Sequence, residues 1–507
     1  MDPRSPTLGQ WRLVISLSSL LLLPAMTASA RGGGGRTIAE CVDADGNPPE
    51  GEDFCIIRSK LPFVGLANAP ARQVWGVVDG AGYRIEVPRH WNGDLVMYAH
   101  GFRGPTAVDA AAGRECAAEI AVSNPPIREY LLSQGFAWAA SSYHRNCYDV
   151  KAGVEDTNAL VRLFRRRFGR PHRTFITGQS MGGHITGAAI EQLPNYRCPK
   201  GRRGRFCRFV TRYLGRLAGG IRYDGAVPMC GNMGDVELFE YFLDYVQVGR
   251  QLTLGASAFP PPTDFMSTEF PLVLGSLTGP GFDPTNPLAI YPFLRSPAGE
   301  AQKGLLQNIS GGPRPMYEEG FLFWESFFFL FGLAGAGDGS IDGITNRVAV
   351  DNTTREYQLD TDPALSAEEV ALNAGIGRVA VDPRANRDRG PLRLRKIPVL
   401  EGNISQPVVS IHTLGDLFVP FSMEQIWARE VASQGNADLL VSRATRDIGH
   451  CASNLQEQVE AFSDMVTWVN TGVRPAGDDI LDPATVAAPD FGCQFTRGDR
   501  PNLTPCP

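Results

Sequence analysis

Three residues far apart in the chain have the types and surroundings that nucleophilic acyl transfer needs: Ser180, Asp416 and His450. Ser180 is the centre of Gly178-Gln179-Ser180-Met181-Gly182, which follows the apolar, β-branched run Thr174 to Thr177 and precedes an amphipathic helical pattern. A strand-to-helix turn this tight holds its central residue in strained backbone geometry and lifts the hydroxyl clear, while the flanking glycines let neighbouring backbone come close. In a chain with 56 glycines the pentapeptide alone arises readily by chance, so the flanking strand and helix carry the weight.

A serine hydroxyl is a poor nucleophile until a histidine takes its proton, and that imidazole needs a carboxylate to fix its tautomer and stabilise its charged form. The chain has 7 histidines. His450 lies in the loop Asp447-Ile448-Gly449-His450-Cys451 after the last expected strand, and Asp416 lies in Leu414-Gly415-Asp416 after the strand before it. Both sit at C-terminal strand ends, where a parallel sheet places its ligands. Asp447 and Asp342 are the fallback acids: the first precedes the histidine too closely to orient it easily, and the second falls outside the expected sheet end. His184, four residues past Ser180 on the helix behind it, reads as structural.

The elements that must position these groups alternate. Gln73 to Val78 and Tyr83 to Val87 read as a hairpin joined through Asp79 to Gly82. Further strands are expected at Leu95 to His100, Phe136 to Tyr143, Thr174 to Thr177, Tyr223 to Met229, Gln406 to Thr413 and Asp438 to Arg443. Helices are expected at Gly153 to Phe168, at Met423 to Ser433 and from the His450 loop to Asn470. This alternation predicts a mostly parallel central sheet covered by helices on both faces. It breaks off between 232 and 405, a stretch too long for a plain loop, which reads as a largely helical cap. That stretch holds the aromatic run Phe321 to Phe331, whose Trp324 and Phe327 are either the cap's own core or a substrate wall. Asp338 to Gly343 has a faint calcium-loop pattern but lacks the closing glutamate, with Ala349 in its place.

On the elbow, the His100-Gly101-Phe102-Arg103-Gly104 loop and the order Ser180, Asp416, His450, the chain resembles the α/β-hydrolase superfamily over residues 73–231 and 406–472. The resemblance implies an oxyanion hole built from the backbone N–H of Met181 and that of Phe102. It also implies a serine hydrolase, expected to cleave carboxylic esters through an acyl-enzyme. An amidase or peptidase with the same three residues is the alternative, and a non-catalytic binding protein on this fold a more distant one. No cofactor and no metal site is expected, and the substrate class is a small-molecule or polymeric ester.

Composition sets the outer bounds. The hydrophobic content of 43% and net charge of −6 fit a globular protein and give no reason to expect a nucleic-acid partner. Residues 1–30 read as a secretory signal, with Arg4 and Arg12 about the n-region, an apolar Leu13 to Met26 and Ala28-Ser29-Ala30 for cleavage. That apolar run of about 14 residues is short of the roughly 20 a membrane anchor needs. Residues 31–72 read as an N-terminal extension. The basic stretch 200–216 is a solvated helix face or a site for an anionic surface or polymer. The tail 473–507 offers no chemistry. Export favours disulfides among the 10 cysteines. Short loops suggest pairs of Cys41 with Cys55, Cys116 with Cys147, Cys198 with Cys207 and Cys493 with Cys506. Cys230 and Cys451 are left, and they are expected to bridge over the active-site edge of the sheet, even though an intervening strand would set their own strands about 9 to 10 Å apart.

Overall fold

The computed structural model describes residues 60–104, 122–191, 220–278 except 256 and 263, 296–325, 329–333, 345, 347–389 and 394–507. It also describes the backbone of three short strands, Ala39–Glu40, Phe54–Ile56 and Ala118–Glu119, which pair in parallel as a small sheet of their own. The main sheet has eight strands: β1 (Ala71–Val78), β2 (Ala81–Pro88), β3 (Leu95–Ala99), β4 (Ala137–Ser141), β5 (Thr174–Gln179), β6 (Gly225–Met229), β7 (Val408–Thr413) and β8 (Leu440–Thr445). Their spatial order is 8-7-6-5-3-4-2-1, and β2 runs antiparallel to both of its neighbours while the remaining pairs are parallel.

The expected strands are all present with small shifts at their ends. The hairpin turn is two residues rather than four, because Asp79 and Gly80 both adopt positive φ, 49° and 85°, and close it directly. The strand expected from Asp438 starts at Leu440, after a single 3₁₀ turn over Ala437–Leu439. None of the three residues in that turn is buried, whereas all six of β8 are, so the apolar pattern that marks the strand begins only at Leu440.

Parallel strands covered on both faces must be apolar at every position, and β3 to β8 are buried almost throughout. Their side chains alternate between two cores. Leu95, Met97, Ala139, Ile176, Ala226 and Val408 face one side, and Val96, Tyr98, Trp138, Phe175, Val227 and Val409 the other. The first side is covered by α2 (Val150–Phe168) and α3 (Met181–Glu191), and the second by α1 (Arg128–Ser133) and by the helix that follows the His450 loop. On that second side Phe462 meets Phe136 and Phe175 edge-on at 5.6 and 6.2 Å. Burying each such ring contributes roughly 2 to 3 kcal/mol.

Between β6 and β7 the described residues form α4 (Glu237–Leu254), α5 (Phe265–Thr268), α6 (Phe270–Thr278), α7 (Pro297–Ile309), α8 (Tyr317–Glu325), α9 (Phe329–Leu333) and α10 (Ala367–Gly375). α4 is the spine of this group. Arg355 pairs from outside with Glu237, Glu240 and Asp244 along it, at 2.8, 2.8 and 3.0 Å. After β7 come α11 (Ser422–Ser433) and, after β8, α12 (Leu455–Thr471). A capping box of Asn454 and Glu457 starts α12, and Gly472 in the left-handed region ends it. No helix among the described residues is long and apolar enough to cross a membrane.

The tail is not peripheral. Arg500 pairs with Asp447 at 2.9 Å and with Glu457 at 2.8 Å, Arg497 pairs with Glu460, and Thr504 donates to Glu319 on α8. It contributes no reacting group, but it ties the His450 loop, α12 and α8 to one another.

Candidate active site

Ser180 occupies the one-residue turn between β5 and α3, with φ of 58°, a left-handed conformation that is strained for a residue with a side chain. The surroundings hold it there. Its N–H donates to the Met229 carbonyl at 3.1 Å and its carbonyl accepts from Gly183 at 2.8 Å. The two flanking glycines are required by space as well as by the turn: a Cβ at Gly178 would collide with the Gly182 carbonyl, and one at Gly182 with the Ala99 carbonyl. The sharp turn leaves the Ser180 hydroxyl 2.8 Å from Nε2 of His450.

His450 is held from both ends. Its Nδ1 lies 2.6 Å from Oδ2 of Asp416, which fixes the tautomer with the proton on Nδ1 and leaves Nε2 as the acceptor facing Ser180. The Phe418 ring stands edge-on to the imidazole with centroids 5.0 Å apart. Asp416 itself is fully buried, and a buried carboxylate must be hydrogen-bonded. Its Oδ1 accepts the N–H groups of Phe418 and Val419 at 2.9 and 3.1 Å, so the acid is gripped by the turn that follows it. The two loops are laced together by Gly415 N–H to the Asp447 carbonyl at 2.8 Å and Thr413 Oγ1 to the Gly449 carbonyl at 2.9 Å.

The fallback acids are elsewhere. Asp447 Oδ1 accepts the N–H groups of Ile448 and Gly449, and its Oδ2 pairs with Arg500. Asp342 lies outside the described residues, as do the faint calcium loop's acidic residues and the basic stretch 200–216. His184 is fully buried between Tyr148 Oη at 3.1 Å and the Pro398 carbonyl at 2.8 Å, and burial pushes its pKa down to about 4. It braces the core behind the elbow.

Met181 is the first residue of α3, so its N–H has no acceptor within the helix. The loop that carries Phe102 passes close to Ser180: a Cβ placed on Gly101 would lie 3.1 Å from Ser180 Cβ. Tyr143 and His100 support this loop. They stack with centroids 4.1 Å apart, and the Tyr143 hydroxyl donates to the His100 carbonyl at 3.1 Å. Burial, aided by the Arg103 charge, pushes the His100 pKa down to about 3.

Trp324 is buried and reaches out of the insertion to the site's own loops. Its Nε1–H is shared by the Gly415 carbonyl at 3.1 Å and the Ile448 carbonyl at 2.9 Å, and its ring packs on Phe418. Its place is that of a strut between α8 and the Asp416 and His450 loops. Phe327 lies outside the described residues.

Cys230 and Cys451 form a disulfide with Cα atoms 5.2 Å apart. Cys230 is the first residue beyond β6 and donates its N–H to Ile411 of β7 at 2.8 Å, and Cys451 follows His450 directly. The bridge thus passes over the end of β7 rather than between two strands, which removes the spacing that opposes it. Cys493 and Cys506 form the other expected bridge among the described residues, and Cys147 is also disulfide-bonded. Cys41, Cys116, Cys198 and Cys207, and the side chain of Cys55, lie outside the described residues.

Reading the sequence alone missed Phe418, the Trp324 contacts and the Arg500 brace. It also missed a third buried histidine, His412 on β7, whose Nδ1 is 3.3 Å from Glu424 and whose Nε2 is 3.9 Å from Asp416.

No family model matches the chain. A curated relative, o-phthalyl amidase from Xanthobacter agilis, is 23% identical over 468 residues, covering 82% of this chain and 91% of its own. Among solved structures, feruloyl esterase B from Aspergillus oryzae is similar with a TM-score of 0.40 and 12% identity, covering 80% of each chain. The rice cell wall degrading esterase LipA from Xanthomonas oryzae is similar with a TM-score of 0.32 and 13% identity, over 77% of this chain and 85% of its own. Strand order 8-7-6-5-3-4-2-1 with β2 alone reversed, a serine on the turn after β5, and an acid and a histidine in the loops after β7 and β8 give this chain the α/β-hydrolase fold.

Proposed function

We propose that the protein is a serine hydrolase that cleaves carboxylic esters through an acyl-enzyme on Ser180. One observation carries the reading: Asp416, His450 and Ser180 are hydrogen-bonded in series at 2.6 and 2.8 Å. In this mechanism His450 Nε2 takes the Ser180 proton as Oγ attacks the acyl carbon, and Asp416 stabilises the resulting imidazolium. The N–H groups of Met181 and Phe102 receive the oxyanion of the tetrahedral intermediate, where one such donor is worth about 10² to 10³ in rate. His450 then returns its proton to the leaving oxygen, and a water molecule repeats the sequence to free the acid and restore Ser180. The disulfides among the described residues fit an exported protein and support the reading of residues 1–30 as a signal.

An amidase is the second reading, favoured by one observation, the amidase relative that spans most of the chain. Both readings share the acyl-enzyme and differ in the leaving group. Matched p-nitrophenyl esters and p-nitroanilides of the same acyl groups separate them: preference for the ester supports the first, and turnover of the anilide at a comparable kcat/KM transfers the function to the second. Ser180→Ala is expected to abolish turnover of both while leaving the melting curve in place. A fluorophosphonate probe that labels another serine and leaves Ser180 free would end either reading.

A further inference from the structure

Behind Asp416 stands His412, the fifth residue of β7, almost fully buried. Its Nε2 is 2.7 Å from the Val419 carbonyl and its Nδ1 is 3.3 Å from Oε1 of Glu424. Glu424 is also buried, and its other oxygen accepts from the Ser410 hydroxyl at 2.5 Å, so both carboxylate oxygens are used as acceptors. A carbonyl and a carboxylate have no proton to offer. What sets this pair of contacts apart is the carboxylate: with Glu424 ionised, each ring nitrogen of His412 is a donor, and an imidazole with two N–H groups is a cation. The same Nε2 is 3.9 Å from Oδ2 of Asp416, the oxygen that accepts from His450.

We propose that His412 is a positioning residue for the Ser180, His450, Asp416 reaction: a fixed buried cation that keeps Asp416 ionised and, through the Val419 carbonyl, holds the turn whose amides grip that acid. The proposal rests on the serine-hydrolase reading above. Val419 is the joint, because its carbonyl accepts from His412 while its N–H donates to Asp416. The charged groups around His412 among the described residues are Glu424 from α11, Asp416 from the following turn and, through Asp416, His450 and Arg314. Arg314 reaches in from the insertion, donates to the Leu414 carbonyl at 2.7 Å and feels the Asp416 charge. The neighbouring position on β8 is Ala444, which adds no charge. Burial pulls the His412 pKa down, but the Glu424 hydrogen bond and charge and the Asp416 charge outweigh it and leave it above the ordinary histidine value. His100 is the contrast. It also faces two acceptors, the Gly101 and Ser142 carbonyls, but burial and the Arg103 charge push its pKa down to about 3.

A cation at His412 disfavours a proton on Asp416 and a second proton on His450. Removing it eases proton uptake by the pair, and the acid limb of activity then moves to higher pH. His412→Gln combined with Glu424→Gln removes both charges while retaining hydrogen-bonding atoms, and so avoids stranding Glu424 as an unpaired buried charge. In this double variant the acid limb of kcat/KM on a p-nitrophenyl ester is expected to rise by about one pH unit: one charge about 4 Å away at an effective dielectric of about 20 is worth about three units, and losing the opposite charge on Glu424 cancels most of that. A limb that stays at the wild-type pH overturns the proposal, whatever the loss in kcat.

Should the double variant fail to fold, the unaltered protein with ¹⁵N-labelled histidine gives the answer by NMR. Both ring nitrogens of His412 are expected to carry protons at pH 7, and a neutral tautomer there overturns the proposal. Failure of the parent reading is distinguishable, because it shows as activity retained in Ser180→Ala and leaves the protonation of His412 unaffected.

Discussion

Converting Cys230 and Cys451 together to alanine removes a clamp that acts at two levels. Residues 221 apart in sequence are joined, so in the chain-entropy model the bridge stabilises the fold by about 5 kcal/mol at most. At roughly 2 cal/mol/K of unfolding entropy per residue, a chain of this size would lose about 5 °C in melting temperature from a change of that size. The local effect is larger in consequence. Cys451 adjoins His450, and its sulfur lies 3.5 Å from Nε2 of that ring. Without the bridge, Thr413 and Gly415 still hold the loop through Gly449 and Asp447, but its covalent tie to the end of β6 is gone. A base displaced by about 1 Å costs on the order of 10² in rate. The double variant is therefore expected to lose about 10- to 100-fold in kcat/KM at 25 °C, well below its own melting point, with most of the loss in kcat. Steady-state kinetics on a p-nitrophenyl ester beside a thermal melt reads both. Full activity with an unchanged melt refutes the reasoning, as does alkylation of either cysteine in the folded, active, unreduced protein.

Two further outcomes are expected. Trp324→Phe leaves the Gly415 and Ile448 carbonyls without their shared donor, at about 1 to 3 kcal/mol, so it is expected to lower the melting temperature and kcat by the same factor on short and long acyl esters; a changed chain-length preference would make the indole a substrate wall after all. His144 has a pKa above the ordinary histidine value, because burial, which lowers it, is outweighed by the hydrogen bond to Asp156 at 2.7 Å and that residue's charge. A raised folded pKa gives stability that is complete below the unfolded value of about 6.5 and is lost as pH rises through the folded value. Chemical denaturation across pH 6 to 8 is expected to show that decline, and His144→Asn to flatten it; an equal slope in both proteins refutes the assignment.

The parts legible in the sequence were those with a local signature. Apolar runs located β3 to β8 because both faces of those strands are buried, alternation about a turn located β1 and β2, and the glycine-flanked Ser180 announced its own strain. Asp416 and His450 were legible by position, since chain order plus the rule for sheet ends left few alternatives. Contacts made across long separations were not. Arg500 meets Asp447 and Glu457 only after the chain has turned back past α12, and the proline-rich composition of the tail carries no trace of that. His412 was hidden by a different cause. It sits within a strand that reads as apolar, and its partner Glu424 reads as an exposed helical residue near the start of α11 although it is buried. Trp324 was left between cap core and substrate wall by its sequence, because the carbonyls that its indole serves belong to loops 91 and 124 residues away.

The brace formed by the tail bears on when the site comes into being. A chain synthesised from its N-terminus presents Ser180 early, while its base follows 270 residues later. Arg500, which steadies the base's loop through Asp447 and the start of α12 through Glu457, comes later still. Until then the nascent chain carries an elbow serine with no proton acceptor beside it. Under the proposed mechanism, hydrolytic competence is therefore among the last properties the molecule acquires, after the tail has docked and, for an exported chain, after Cys451 has met Cys230 in an oxidising compartment. Under that mechanism, the order of residues along the chain leaves the nucleophile without its base until synthesis is nearly complete.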